Sequence, residues 1–413
     1  MATAPFRFGA PVDPREFQDL KIRMALDFCK WDSQIGDTAT LCSQPLLMRV
    51  TQWQKLCGLA EALTAELTAA EEELLRRPDL LGALGLPPPM LSAFQRGYSH
   101  DSPSALRVLR FDFHFTADGW RISEVNSDVP GGYTEASCFT ALMSEHVPGS
   151  RPAGNPAAAW AKAMCARVGE RSCVAFLSAP GFAEDQQVTA FLAEQLHANH
   201  IRTCLIHHPC QLAWDSGIAS TTVLGKRVLL DAIVRFYQGE WLSSLPSKSN
   251  WSCLLFGGNT PVTNPSQAIL TESKRLPVIW DKLSNPMSTW RSLMPQSCDP
   301  RDCDWKSDDS WVLKAAYSNT GDDVYIREAL SREAWTKVCH TVVKNPGYWV
   351  AQRRFHSVPV SSGSGPIYPC VGVYTIDGHA AGAYVRASSK FVTDFEATDV
   401  ALLITEDGNA QQG

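Results

Sequence analysis

Apolar positions along the first third of the chain recur at helical spacing. Over residues 14–31 Phe17, Leu20, Ile22, Met24, Ala25 and Phe28 predict an amphipathic helix. A longer helical stretch is predicted at 46–77, rich in Leu, Ala and Glu and ending in EEELLRR, before Pro87-Pro88-Pro89 breaks the pattern. The period then changes to two. Leu106–Phe115 alternates, Ala117-Asp118-Gly119 supplies a turn, and Trp120–Val125 returns, which reads as a β-hairpin. Residues 149–157, GSRPAGNPA, read as a linker. Beyond them a strand at Cys173–Ser178, a helix at Glu184–Asn199 and strands at Ile201–His207 and Val228–Val234 predict a small doubly wound α/β unit. The last third reads as β-rich, with strands at Trp311–Ala315, Val324–Arg327, Trp349–Arg353, Cys370–Ile376 and Ala381–Arg386. Asp377-Gly378 forms a tight turn between the last two.

Composition narrows this picture little. Of 413 residues, 45% are apolar and 19% charged, which is ordinary for a globular protein with room for a large core. A net charge of -6 without long runs of either sign gives no reason to expect a nucleic-acid or anionic-membrane surface. No apolar run is long enough to span a membrane. The first residues, MATAPFRFGAPVDPREF, lack the basic-then-apolar pattern of a secretory leader. The 13 cysteines form no CxxC pair and read as free thiols of a reducing cytoplasm.

Candidate chemistry concentrates in RFDFHFTADGWRISEVNSDVPGG, residues 110–132. Asp112 lies on one arm of the hairpin and Glu124 on the other, and Asn126, two positions on, faces the same side as Glu124. Two carboxylates and an amide oxygen converging from adjacent strands are hard donors suited to Mg²⁺. Arg110 projects to the same face, and a phosphate would reconcile a cation with a metal there. A second element, WVLKAAYSNTGDDV, is an apolar strand ending in Lys314 before a glycine loop, an arrangement able to pair with phosphates without being a P-loop. A third, YWVAQRRF, ends in polar residues and could offer an open edge to an adenine ring.

Together these segments resemble the glutathionylspermidine synthase-like family of ATP-grasp ligases. RFDF…EVN is similar to its R-x-D…E-x-N signature, NSDVPGGYTEA (126–136) to its N-A-D-T-P-x-x-x-x-E-A run, and SKRLPVIWD (273–281) to a segment carrying a second nucleotide lysine. GVYTIDGHAAGAYVRAS (372–388) resembles the closing hairpin with its phosphate arginine. DAIVRFYQGEWL (231–242) and FCKWDSQIGD (28–37) are family-like as well. Here the metal signature precedes the lysines, which is the permuted order of that family.

The resemblance implies an α/β (α+β) permuted ATP-grasp fold with an N-terminal helical segment and a small doubly wound pre-ATP-grasp domain. The expected division is 1–155 for the helices and metal hairpin, 156–265 for the pre-ATP-grasp unit, and 266–413 for the nucleotide lobe and closing hairpin. It implies ATP and Mg²⁺ as cofactors, and as partners a small-molecule or peptide carboxylate and an amine, and it allows a homodimer. The implied roles are Asp112, Glu124 and Asn126 on Mg²⁺ and Arg110 and Arg386 on the transferring phosphate. Lys274, Lys314, Ser318, Gly321 and Gln352 fall on the nucleotide, and Ser127 and Glu135 on the substrate. Asp322 and Asp323 after the glycine depart from the family's pattern. The implied activity is amide formation through an acyl phosphate; a nucleotide-binding regulator of the same fold is the alternative.

Overall fold

The computed structural model describes residues 4–32, 34–35, 38–96, 105–256, 258–318, 323–363, 365–391 and 396–407. A large antiparallel sheet organises the molecule. Its strand order is Thr398–Val400, His379–Ser388, Gly365–Ile376, Val108–Thr116 and Gly119–Asn126, with Val360–Ser362 pairing beside Gly365–Ile376. Strands more than 230 positions apart in sequence are thus direct neighbours: Asp112 lies opposite Gly372 and Arg110 opposite Tyr374. One face of the sheet is apolar, with Phe111, Phe113, Ile122, Val371, Val373, Val385 and Val400 all buried in the main core.

The helix Val50–Arg76 is buried in that same core. Trp53, Leu56, Ala60, Leu63, Leu67, Ala70 and Leu74 repeat at three- and four-residue spacing and are all buried, the stripe a long amphipathic helix needs. A hydroxyl pair, Thr64 to Thr375 at 2.9 Å, ties this helix to the sheet. The helix starts later than its sequence pattern suggests. Leu46–Arg49 is a strand parallel to Leu402–Thr405, because its apolar run is buried between that strand and Phe6–Phe8. The first helix, Pro14–Asp27, begins where Asp13 caps it by accepting from the N–H of Arg15 at 2.9 Å, with Pro14 in the first turn.

The α/β unit is a parallel sheet in the order Val262–Thr263, Ala232–Phe236, Cys173–Ser178 and Arg202–Ile206, with the helices Pro156–Val168 and Ala183–His197. Two expectations are corrected here. The single strand expected at 228–234 is two, because Lys226–Leu229 belongs to a small antiparallel meander and Ala232–Phe236 to the buried parallel sheet. The expected linker at 149–157 contains the strand Ser150–Pro152, paired to Leu402–Thr405.

The remaining lobe is an antiparallel sheet in the order Ser297–Cys298, Trp349–Arg353, Trp311–Ala315 and Val324–Ile326. The helix Arg332–Lys344, not anticipated in the β-rich reading, covers it by burying Val338 and Val342 against Trp305, Trp311, Leu313 and Trp349. Trp349–Arg353 has a partner on each side, so it is an interior strand and not the open edge expected. Among the described residues no helix is long and apolar enough to cross a membrane.

Candidate active site

The polar face of the large sheet forms the floor of a cavity of about 320 Å³. Reading across the strands, Asp399 lies opposite Arg386, Arg386 opposite Cys370, Gly372 opposite Asp112, and Asp112 opposite Glu124. Arg110 lies opposite Asn126. All of these residues line the cavity. Strand alternation accounts for most of this: the same strands turn their intervening apolar residues into the core.

One break in the alternation shapes the site. The pairing register shifts after Asp112, so that Asp112 faces Glu124 while Phe113 faces Ile122. Ser123 is the additional residue of a β-bulge, and it lines the cavity beside Glu124 while Ile122 and Val125 remain buried in the core. The carbonyl of Ser123 accepts a hydrogen bond from Lys314 Nζ at 3.0 Å.

The hairpin arrangement expected from sequence is therefore present, and it is crowded with cations. Arg110 donates to Asp112 twice, Nε to Oδ1 at 2.9 Å and Nη2 to Oδ2 at 3.2 Å, and to the Gly131 carbonyl at 2.8 Å. Its guanidinium lies 5.2 Å from the Tyr384 ring centre. Asn126 Nδ2 donates to Asp112 Oδ2 at 3.1 Å. Lys274 Nζ lies 3.4 Å from Glu124 Oε2 and donates to the Ser318 carbonyl at 2.8 Å. Burial acts against the charge of Glu124, yet Lys274, Lys314 and Arg110 together hold its carboxyl below the usual range. Burial likewise opposes the charge of Lys274, but Glu124 and Glu272 outweigh it and raise that amine. For Lys314 burial prevails, and its pKa falls to about 8.

Gly372 is required where it stands. A Cβ there would lie 2.8 Å from Arg110 Cδ and 3.0 Å from Asp112 Oδ1. Gly372→Ala is expected to force the Arg110–Asp112 pair apart and to destabilise the fold by about 1–3 kcal/mol, the usual scale of overpacking. Urea unfolding reads this directly, and a change below about 0.5 kcal/mol would show that the pair moves aside freely.

The other expected site residues divide. Gln352 and Ser318 line the cavity. Gln352 Nε2 donates to Ser297 Oγ at 3.1 Å. The hydroxyl oxygen of Ser318 is buried without a hydrogen-bond partner among the described residues. Gly321 and Asp322 lie outside the described residues, while Asp323 is exposed and accepts from the Tyr325 hydroxyl at 2.7 Å. Ser127 and Glu135 are not on the cavity lining. Ser127 is fully buried, bonded to Arg107 and, through its hydroxyl at 2.7 Å, to Thr271. Glu135 pairs with buried Lys30 at 2.5 Å.

Lys30 marks what sequence reasoning left without a role. It lines the cavity with Asp32, Glu184, Asp185 and Asp399, and it is within 3.2 Å of Asp32 and 3.3 Å of Asp399. Burial works against its charge, but Glu135, Asp399 and Asp32 hold the amine well above its ordinary range. Lys30 and Asp32 fall in the segment FCKWDSQIGD, whose family-like character was the available signal. His114 was also missed; it contacts Ser123 Oγ at 3.0 Å, and burial pushes its pKa to about 4.

The family model for the glutathionylspermidine synthase pre-ATP-grasp proteins matches residues 30–405. The chain belongs to that family. No curated protein matches it. Among solved structures, a glutathione synthetase-like effector (GSS30) from Globodera pallida, in apo form, aligns with 95% of this chain and 98% of its own at 13% identity and a TM-score of 0.65. A putative gamma-glutamylcysteine synthetase from Methylobacillus flagellatus aligns with 82% of this chain and 88% of its own at 11% identity and a TM-score of 0.44. The fold is that of a permuted ATP-grasp protein.

Proposed function

We propose that this family member is an ATP- and Mg²⁺-dependent ligase that joins a carboxylate to an amine through an acyl phosphate. The observation that supports it best is the row Arg386, Arg110, Asp112, Glu124 and Asn126 on one sheet face, with Lys274 and Lys314 meeting it from the opposite wall of the cavity.

The donor set suits Mg²⁺. It comprises two carboxylates and an amide oxygen, hard donors of the kind that Mg²⁺ prefers. Asp112, Glu124 and Asn126 would hold the ion, which would supply charge neutralisation on the transferring phosphoryl group. The chain's own work is positioning and electrostatics. Lys274 and Lys314 provide charged donors for nucleotide phosphates, and the unpartnered Ser318 hydroxyl is a further donor beside them. Arg110 and Arg386 flank the place where charge builds during transfer and again when the amine attacks. A carboxylate oxygen is a poor leaving group; as part of phosphate it leaves readily.

The decisive experiment uses carboxylate labelled with ¹⁸O. One labelled oxygen is expected in the released phosphate together with ADP and amide. Unlabelled phosphate alongside amide would exclude the acyl phosphate, and AMP with pyrophosphate would indicate an adenylating enzyme. A stable phosphorylated product without amide would make it a phosphotransferase, and nucleotide binding without turnover over broad acid and amine pools would favour a regulator.

Lys314 adds a pH signature. Its pKa of about 8 in the free protein means that the charged amine is lost as pH rises through that value. ADP affinity measured by calorimetry is therefore expected to fall above pH 8, by up to about tenfold per pH unit. Lys314→Arg, charged throughout, should flatten the profile. A slope that survives in Lys314→Arg would assign the effect to another group.

A further inference from the structure

Glu272 ends the short helix Ala268–Glu272 and reaches the end of the hairpin that carries Asn126. Its Oε2 accepts hydrogen bonds from the backbone N–H of Ser127 at 2.6 Å and of Asp128 at 2.9 Å. These are the two residues that follow Asn126, so the end of the metal hairpin is anchored on this one carboxylate oxygen. The anchor is itself fixed. Thr271, the preceding residue, bonds the Ser127 hydroxyl at 2.7 Å, and the Ser273 hydroxyl bonds the Leu84 carbonyl at 2.5 Å.

On its other side Glu272 stands two residues before Lys274. The Lys274 amine pairs with Glu124 at 3.4 Å. Burial raises the Glu272 carboxyl to about 8, so its hold on the hairpin is exerted through the two N–H bonds it accepts rather than through charge.

We infer that Glu272 is a positioning residue of the ligase site, holding the end of the hairpin so that Asn126 stands as a metal donor. This rests on the ligase reading above. Glu272 does not line the main cavity, so its effect is exerted through the hairpin end that carries Asn126.

The test is Mn²⁺ binding, followed by electron paramagnetic resonance of the free ion in the presence of excess ADP, on the full chain. Glu272→Ala is expected to weaken Mn²⁺ about tenfold or more, the scale of groups that orient metal ligands, while a cooperative thermal melt is retained. Glu272→Gln, which can place its amide oxygen on the same two N–H groups, should recover most of that affinity. Unchanged Mn²⁺ affinity in Glu272→Ala, in a preparation where Glu124→Ala abolishes binding, would overturn the inference and leave the ligase reading standing. Failure of the unaltered protein to take up Mn²⁺ would overturn the metal assignment and the inference together. Should Glu272→Ala not fold, Glu272→Met, which fills the volume without an oxygen acceptor, carries the test: Mn²⁺ binding severalfold weaker than in Glu272→Gln supports the inference, and affinity equal to the unaltered protein overturns it.

Discussion

Glu124→Ala is expected to abolish ATP-dependent amide formation while leaving the protein folded. Loss of a single preorganised electrostatic group costs about 10²–10³ in turnover, and Glu124 is also a proposed metal donor, so the drop should reach at least the upper end of that range. The fold should tolerate the change because Glu124 faces the cavity and Asp112, Phe113 and Ile122 keep their ladder pairs. The direction of nucleotide binding separates this from general damage. Glu124 is the nearest carboxylate partner of Lys274 and attracts Lys314, so its removal frees both cations. ADP measured by calorimetry without added metal should bind at least as tightly as to the unaltered protein, whereas the gain normally produced by Mg²⁺ should vanish. Retained turnover at saturating Mg²⁺ would refute the metal assignment, and weakened metal-free ADP binding would refute the ion-pair account.

The largest effect on stability is expected at Asp128. Its carboxylate pairs with Arg235, and both side chains are completely buried. Arg235 Nη1 donates to Asp128 Oδ2 at 2.9 Å, and the same oxygen accepts from the Gly239 N–H at 2.8 Å. Asp128→Ala would leave a guanidinium and an N–H buried without their acceptor, a loss of about 3–5 kcal/mol. Urea unfolding is the measurement. Asp128→Asn, which preserves an oxygen and the volume, should cost less. A loss in Asp128→Ala no larger than that of an ordinary surface substitution, about 0.5 kcal/mol, would show that the pair does not hold the α/β unit to the hairpin.

Asp128 also shows how a family-like motif can mix two kinds of residue. Asn126 and Asp128 stand two apart in NSDVP, yet Asn126 faces the cavity and Asp128 faces the inside of the protein. Ser127 between them is bound by Arg107, Thr271 and Glu272, and so is Asp128 by Arg235 and Asn264. Motif membership therefore did not by itself distinguish a cavity-facing residue from a clamp; the partners, which lie more than 100 positions away in the chain for Asp128, did.

The hairpin was legible because its information is local. Alternation at 106–125, a turn at Ala117-Asp118-Gly119 and a fixed two-residue pleat determine that Arg110 and Asp112, and likewise Glu124 and Asn126, share a face. The same holds for the strands Cys173–Ser178, Trp311–Ala315 and Trp349–Arg353, whose short buried apolar runs carry their own limits. Tertiary structure decided the rest. Leu46–Arg49 is a strand because Leu402–Thr405 lies beside it, and 226–236 is split because its two halves pair with different sheets. The bulge at Ser123, the room left by Gly372 beside Arg110, and the meeting of Lys274 with Glu124 all depend on chains brought together from distant positions. Periodicity reports which way a side chain faces along its own strand. Which charge it meets, and so whether a lysine is raised like Lys274 or lowered like Lys314, is settled only when burial and neighbouring carboxylates are fixed in space.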